Sequence, residues 1–192
     1  MLSPVKVTIV TDGPARVLMV CSGNICRSPA MHYYAQRAWG EAAEVTSAGT
    51  WAEVGMDATP ELRRAAARYD LTIPRHRPTQ LDAAAITRAD LVLVASQQHA
   101  DWIARRTGNA PTHVFGLLQA AELAQRAVRP VGDTATERLG AAASALAMEH
   151  QARPAPLRTL DDPWAQSDAV YERVVGEIVQ ALDVLTEWAN AN

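Results

Sequence analysis

"RVLMVCSGNICRSPAMHYYAQRAWG" (Arg16–Gly40) decides how the chain is read. A short apolar run, Arg16–Val20, ends on Cys21, and a polar loop follows before Ser28-Pro29 opens a helical pattern. Uninterrupted apolar runs of this length read as buried strands. Serine is a strong N-cap and proline suits the first helical position, so a helix is predicted over Pro29–Trp39 with Ser28 as its cap. Strand, tight loop and helix form the repeating unit of an open parallel sheet, whose ligands bind beyond the carboxyl ends of the strands. Cys21 stands at such an end.

Further strands are predicted at Ala89–Ser96, Glu44–Gly49 and Thr112–Gly116, with helices between them at Pro60–Tyr69 (capped by Thr59) and Gln98–Arg106 (stopped by Gly108). Tyr171, Val174, Val175, Ile178, Val179, Leu182 and Leu185 recur at helical spacing along one face of a terminal helix. The fold class is therefore α/β: one domain over residues 1–192, an open parallel sheet of about four strands with helices on both faces. Residues 1–15 form an extra N-terminal segment in which "VKVTIV" reads as an edge strand. The Ala- and Arg-rich stretch Gln119–Met148 reads as one or two helices, and "QARPAPLRT" after it as a loop.

A chain of 192 residues with 48% hydrophobic and 20% charged content is an ordinary globular domain. Its net charge of -3 gives no electrostatic case for nucleic acid or an anionic membrane as partner. No stretch approaches the roughly 18 apolar residues of a membrane span. "MLSPVKVTIV" lacks a basic lead-in and is interrupted by Lys6 and Thr8, so it reads poorly as a signal peptide. Two cysteines are too few for a disulfide framework, and a cytoplasmic protein with reduced thiols is expected. Composition does not specify an oligomeric state.

The chemistry concentrates in the loop. A free thiol is mostly protonated at neutral pH and a poor nucleophile. Three neighbours favour the Cys21 anion: the unsatisfied N–H groups of the following helix, the permanent charge of Arg27, and the Ser28 hydroxyl. The same features hold a phosphate. A loop that curls around an anion turns its N–H groups inward and needs positive φ, which Gly23 and Asn24 tolerate most cheaply. Arg27 presents a planar fork matching two phosphate oxygens, and the phosphorus then faces the Cys21 sulfur. The alternative for Cys21 and Cys26 is inert burial. Their spacing also supplies half a zinc site, but no second pair completes it, so no metal or other cofactor is expected.

"VCSGNICRSP" resembles the active-site loop of the low-molecular-weight protein tyrosine phosphatases. "TSAGT" (Thr46–Thr50), "RHRPTQL" (Arg75–Leu81), "ADLVLVAS" and "DDPW" (Asp161–Trp164) follow in the order of that family's motifs. The resemblance covers most of Arg16–Asn190 except Gln119–Thr159, which is longer than the usual connection. It implies a cysteine-dependent phosphatase that passes through a phosphocysteine, with Cys21 as nucleophile and Arg27 as phosphate ligand. Ser22, Gly23, Asn24, Ile25, Cys26 and Ser28 complete the phosphate-binding loop. Asp162 is implied as general acid and then base. Asp161 is the rival, and position directly before Pro163 favours Asp162. Asn24, Ser47 and His76 are implied as supports of the loop, although an arginine-rich turn such as that around His76 is also a common place for a surface histidine. Cys26 is implied as a disulfide partner that protects Cys21 from over-oxidation, the alternative being packing beneath the loop.

The resemblance further implies aromatic walls at Trp164 and Trp51, with core packing as the alternative for Trp51. Trp39, Trp102 and Trp188 read as helix-face packing. Isoleucine at position 25 accompanies tyrosine-type members and threonine accompanies phosphoarginine phosphatases, so Ile25 leans toward a phosphotyrosine protein substrate and a cognate tyrosine kinase as partner. Departures from the pattern are Ala30-Met31-His32 for Met-Ala-Glu, Ser96 for an acidic residue and Thr79 for an arginine. Three alternatives stand beside this reading: a phosphoarginine phosphatase, an arsenate reductase and a silent phosphopeptide-binding module. The reductase passes electrons through further cysteines, and none follows Cys26, so it would use an external thiol. The silent module requires a lost nucleophile or acid, while Cys21 and Asp162 are both in place.

Overall fold

A computed structural model describes residues 13–190. Four parallel strands, β1 (Ala15–Cys21), β2 (Ala43–Gly49), β3 (Leu91–Val94) and β4 (Val114–Gly116), lie in the order β2-β1-β3-β4. The register sets Cys21 opposite Gly49 and Val20 opposite Val94. Alternate β1 residues serve different cores. Val17, Met19 and Cys21 face one face's helices, while Leu18 and Val20 join Val92, Val94 and Ile103 on the other. Burial on both faces is why β1 reads as an unbroken apolar run.

Helix α1 (Arg27–Trp39) follows the Cys21 loop, and α2 (Pro60–Ala67) is capped by Thr59, whose hydroxyl accepts from the Leu62 N–H at 3.2 Å. A short α3 (Ala83–Arg88), capped by Asp82, is an element the sequence reading passed over. Helix α4 (Gln97–Thr107) ends at Gly108 in the left-handed conformation. After β4 come α5 (Leu117–Ala124), α6 (Ala135–Ala152) and the long α7 (Asp168–Asn190). Helices α1 and α7 pack on the larger core, α3 and α4 on the smaller. Trp39 and Trp188 are buried in the larger core, and Trp102 packs against the smaller one.

The strands are where the sequence places them, with β3 and β4 shorter than expected. Helix α6 runs on through Gln151 and Ala152, where the sequence predicts a loop. The candidate edge strand "VKVTIV" lies outside the described residues. Among the described residues, no helix is long and apolar enough to cross a membrane.

Candidate active site

Residues 22–26 connect β1 to α1, and their carbonyls are held from outside. The Cys21, Ser22, Gly23 and Ile25 carbonyls accept from the N–H groups of Thr50, Trp51, Glu53 and Thr59 at 2.9, 3.0, 3.0 and 3.1 Å. In a planar trans peptide the C=O and the following N–H point in opposite directions. The N–H groups of Ser22, Gly23, Asn24 and Cys26 are therefore turned to the concave side of the loop. One expectation about this curl needs correction. Asn24 alone takes the left-handed conformation (φ 56); Gly23 does not. Gly23 instead leaves room, since a Cβ there would stand 3.3 Å from Glu53 Cγ. The close approach falls on Gly49, where a Cβ would come within 2.3 Å of the Ser22 carbonyl oxygen.

Asn24 is fully buried and bonded at each polar atom. Its Nδ2 donates to Ser28 Oγ (2.9 Å) and Ser47 Oγ (3.0 Å), and its Oδ1 accepts from the Thr79 N–H (2.8 Å). These bonds hold its strained backbone in place. The grip at Thr79 is by backbone, so the side chain there is free to depart from the family's arginine. Ser28 lies inside the first turn of α1, and Cys26 occupies the N-cap position without a side-chain capping bond. Ser28 does not cap because its hydroxyl accepts from Asn24, which leaves its hydrogen for the Cys21 sulfur 2.9 Å away.

Arg27 is buried to 5% exposure under the loop. Its guanidinium donates to the Leu160 carbonyl (3.3 Å), Ser22 Oγ (3.4 Å) and Asp162 Oδ2 (2.6 Å). The two candidate carboxylates separate here. Asp162 points into the cleft, whereas Asp161 is paired with Arg173 on the surface at 2.7 Å. Cys21, Ser22, Gly23, Ile25, Cys26, Arg27 and Asp162 line that cleft, and Trp51, Glu53 and Trp164 form its upper wall. Trp51 is 80% exposed and Trp164 51%, so neither is core.

Cys26 is a free, buried thiol 3.3 Å from the Tyr171 hydroxyl and 3.7 Å from Thr59 Oγ1. Burial pushes it up to about 11, leaving it protonated at neutral pH. His76 is buried, and its Nδ1 lies 3.1 Å from the Tyr33 hydroxyl. Its Nε2 is buried without a hydrogen-bond partner among the described residues, and burial lowers the pKa of the ring. Two histidines were passed over as site residues. His32 stacks on Tyr33 with ring centroids 4.4 Å apart and sets Nδ1 3.2 Å from Ser47 Oγ. His99 places Nε2 3.0 Å from Ser22 Oγ and Nδ1 2.9 Å from Ser96 Oγ. Burial lowers both to about 4, assisted by His76 for His32 and by Arg27 for His99. Both are neutral at physiological pH.

The profile of the low molecular weight phosphotyrosine protein phosphatase family matches residues 16–137. The chain belongs to that family. Among curated proteins it is 37% identical over 83 residues to the low molecular weight protein-tyrosine-phosphatase Wzb of Escherichia coli K12, covering 43% of this chain and 56% of that protein. It is 40% identical over 78 residues to the probable phosphatase EpsP of Ralstonia solanacearum, covering 41% and 53%. The chain thus spans about half the length of these curated relatives. A protein-arginine-phosphatase of Geobacillus stearothermophilus is 33% identical over 106 residues, 55% of this chain and 71% of that protein. Among solved structures, the Erwinia amylovora tyrosine phosphatase AmsI superposes with a TM-score of 0.68 at 23% identity, covering 93% of each chain, which shows a shared fold. The matched residues 16–137 hold the whole Cys21 loop together with Ser47 and His76, while "DDPW" lies beyond them.

Proposed function

We propose that this chain is a cysteine-dependent protein tyrosine phosphatase working through a phosphocysteine. The observation that carries the reading is the orientation of the loop. Four outward carbonyls turn four N–H groups toward the space in front of Cys21, and Arg27 closes the ring. Such a concentration of donors suits a tetrahedral dianion. Cys21 Sγ attacks phosphorus and the P–O bond to the tyrosine oxygen breaks. Asp162 gives its proton to the leaving phenolate oxygen. In the second step the Asp162 carboxylate takes a proton from water as that water attacks the phosphocysteine, and phosphate leaves with the Cys21 thiolate restored.

Trp51, Trp164 and Ile25, which line the cleft, offer apolar surface for the aryl ring. A phosphoserine has no ring to set against those side chains. The arginine-phosphatase relative supports phosphoarginine as the second reading, and Ile25 weighs against it. In this proposal the partners are phosphotyrosine proteins and the tyrosine kinase that makes them, in the cytoplasm. Side-by-side turnover of phosphotyrosine, phosphoarginine and phosphoserine peptides tests the substrate. Phosphotyrosine is expected to lead, with full activity retained in chelator; a dominant phosphoarginine rate would reverse the assignment. Cys21→Ser is expected to abolish turnover while vanadate still binds, and residual hydrolysis there would remove Cys21 as nucleophile.

A further inference from the structure

The buried His99 is not used by the chemistry above, yet it touches the loop at the residue following the nucleophile. Both ring nitrogens face hydroxyls: Ser96 Oγ at 2.9 Å and Ser22 Oγ at 3.0 Å. The proton positions follow from counting donors. Ser96 is buried, and among the described residues its hydroxyl contacts only His99 Nδ1. A buried hydroxyl hydrogen needs an acceptor, so Ser96 donates to Nδ1. A neutral imidazole accepts at one nitrogen and donates from the other, so Nε2–H donates to Ser22 Oγ. That oxygen also accepts from Arg27 Nη2 at 3.4 Å. With both lone pairs occupied, the Ser22 hydrogen is directed away from the histidine and the arginine. Ser22 lines the cleft, and the cleft is what remains in front of it.

We infer that the Ser22 hydroxyl is a further donor to the phosphoryl oxygens, held in that orientation by a Ser96–His99 relay. Ser22 is thus a catalytic residue in its own right, beyond its backbone N–H, and His99 and Ser96 are positioning residues. The inference rests on the phosphatase reading but fails separately from it. No proton is transferred along the relay, which fixes the direction of one hydrogen.

The test is a double-mutant cycle on Ser22 and His99, read by kcat/KM for p-nitrophenyl phosphate and by the inhibition constant of inorganic phosphate. Loss of a donor to a charged oxygen is expected to lower kcat/KM by about 10- to 100-fold in Ser22→Ala and to weaken phosphate by about 10-fold. Ser22→Thr, which keeps the hydroxyl, is expected to restore most of both. His99→Phe is expected to match Ser22→Ala, and the double variant to be no worse than Ser22→Ala alone. His99→Gln, whose amide can donate to Ser22, is expected to lie closer to the wild type. Where His99→Phe does not fold, phosphate inhibition of Ser22→Ala and Ser22→Thr decides. A Ser22→Ala protein within twofold of wild type in both readouts overturns the inference, as does an undiminished His99→Phe effect in the Ser22→Ala background. A wild-type protein inert toward p-nitrophenyl phosphate would instead sink the phosphatase reading itself.

Discussion

At the carboxyl end of β1, the Cys21–Ser28 turn is held by polar contacts: four outward carbonyls, three bonds on Asn24, three on Arg27. At the other end of the sheet, α6 packs against β1, β3, α5 and α7 through Leu139, Leu146 and a series of alanines. A groove beside it is lined by Thr87, Asp90, Thr112 and His113, where the chain enters β3 and β4. The one buried charge on α6, Glu149, lies 3.1 Å from Arg126 Nε and 2.9 Å from Arg153 Nε. Hydrogen bonds are directional and fix where atoms point, whereas apolar burial is non-directional and contributes in proportion to area. The first end is built for orientation and the second for stability. Substitutions at the two ends are therefore expected to separate activity from folding.

The largest separation is expected at the paired aspartates. Asp162→Ala should slow turnover of a phosphotyrosine peptide by about 10²- to 10⁴-fold with little change in melting temperature. Asp161→Ala removes only an exposed ion pair with Arg173, and should leave turnover within about threefold and stability within about 1 kcal/mol. A dead Asp161→Ala enzyme would transfer the acid role to Asp161. The reverse pattern is expected at the other end. Leu146 is fully buried in α6, and Leu146→Ala should destabilise the fold by about 2–5 kcal/mol in urea titrations while kcat changes less than twofold. A large kcat effect there would show that the two ends are coupled.

The smallest effect concerns acid. His99 titrates near 6.5 unfolded and at about 4 when folded. Between these values the unfolded chain holds more protons, so stability is complete above pH 6.5 and is lost as pH falls toward 4. The slope expected from His99 is about 1.4 kcal/mol per pH unit inside that window. His32 adds a loss of the same sign. Unfolding free energies at pH 6.5 and 5.0 should fall less steeply in His99→Gln than in the wild type. Equal slopes would mean that His99 is not held neutral by the fold.

What could be read from the sequence was local. Strand, loop, nucleophile, arginine and helix follow one another within Arg16–Gly40, and the apolar pattern of β1 reports burial on both faces. The errors arose where a competing contact, near or far in the chain, decides the outcome. Ser28 looks like an N-cap because serine before proline usually is one, but Asn24 and Cys21 claim its hydroxyl. Gly23 looked like the residue the curl requires; the tight approach is at Gly49, 26 positions on, which the β1–β2 register brings opposite Cys21. His99 follows the third strand at a position where only the β1–β3 pairing reveals its proximity to Ser22. Trp51 was undecided between core and wall because an aromatic after a strand suits either. The departures at Ser96 and Ala30-Met31-His32 were visible, but their use, as holders of His99 and of Ser47, was not.

The central claim is that phosphorus is transferred to the Cys21 sulfur. Nitrophenolate leaves without needing a proton, so in Asp162→Ala the first step with p-nitrophenyl phosphate should remain fast while hydrolysis of the intermediate slows. Rapid acid quench followed by peptide mass spectrometry should then find a phosphoryl group on the peptide containing Cys21, at near one per molecule. A burst of nitrophenolate with no adduct on Cys21, or with the adduct on another side chain, would contradict the account.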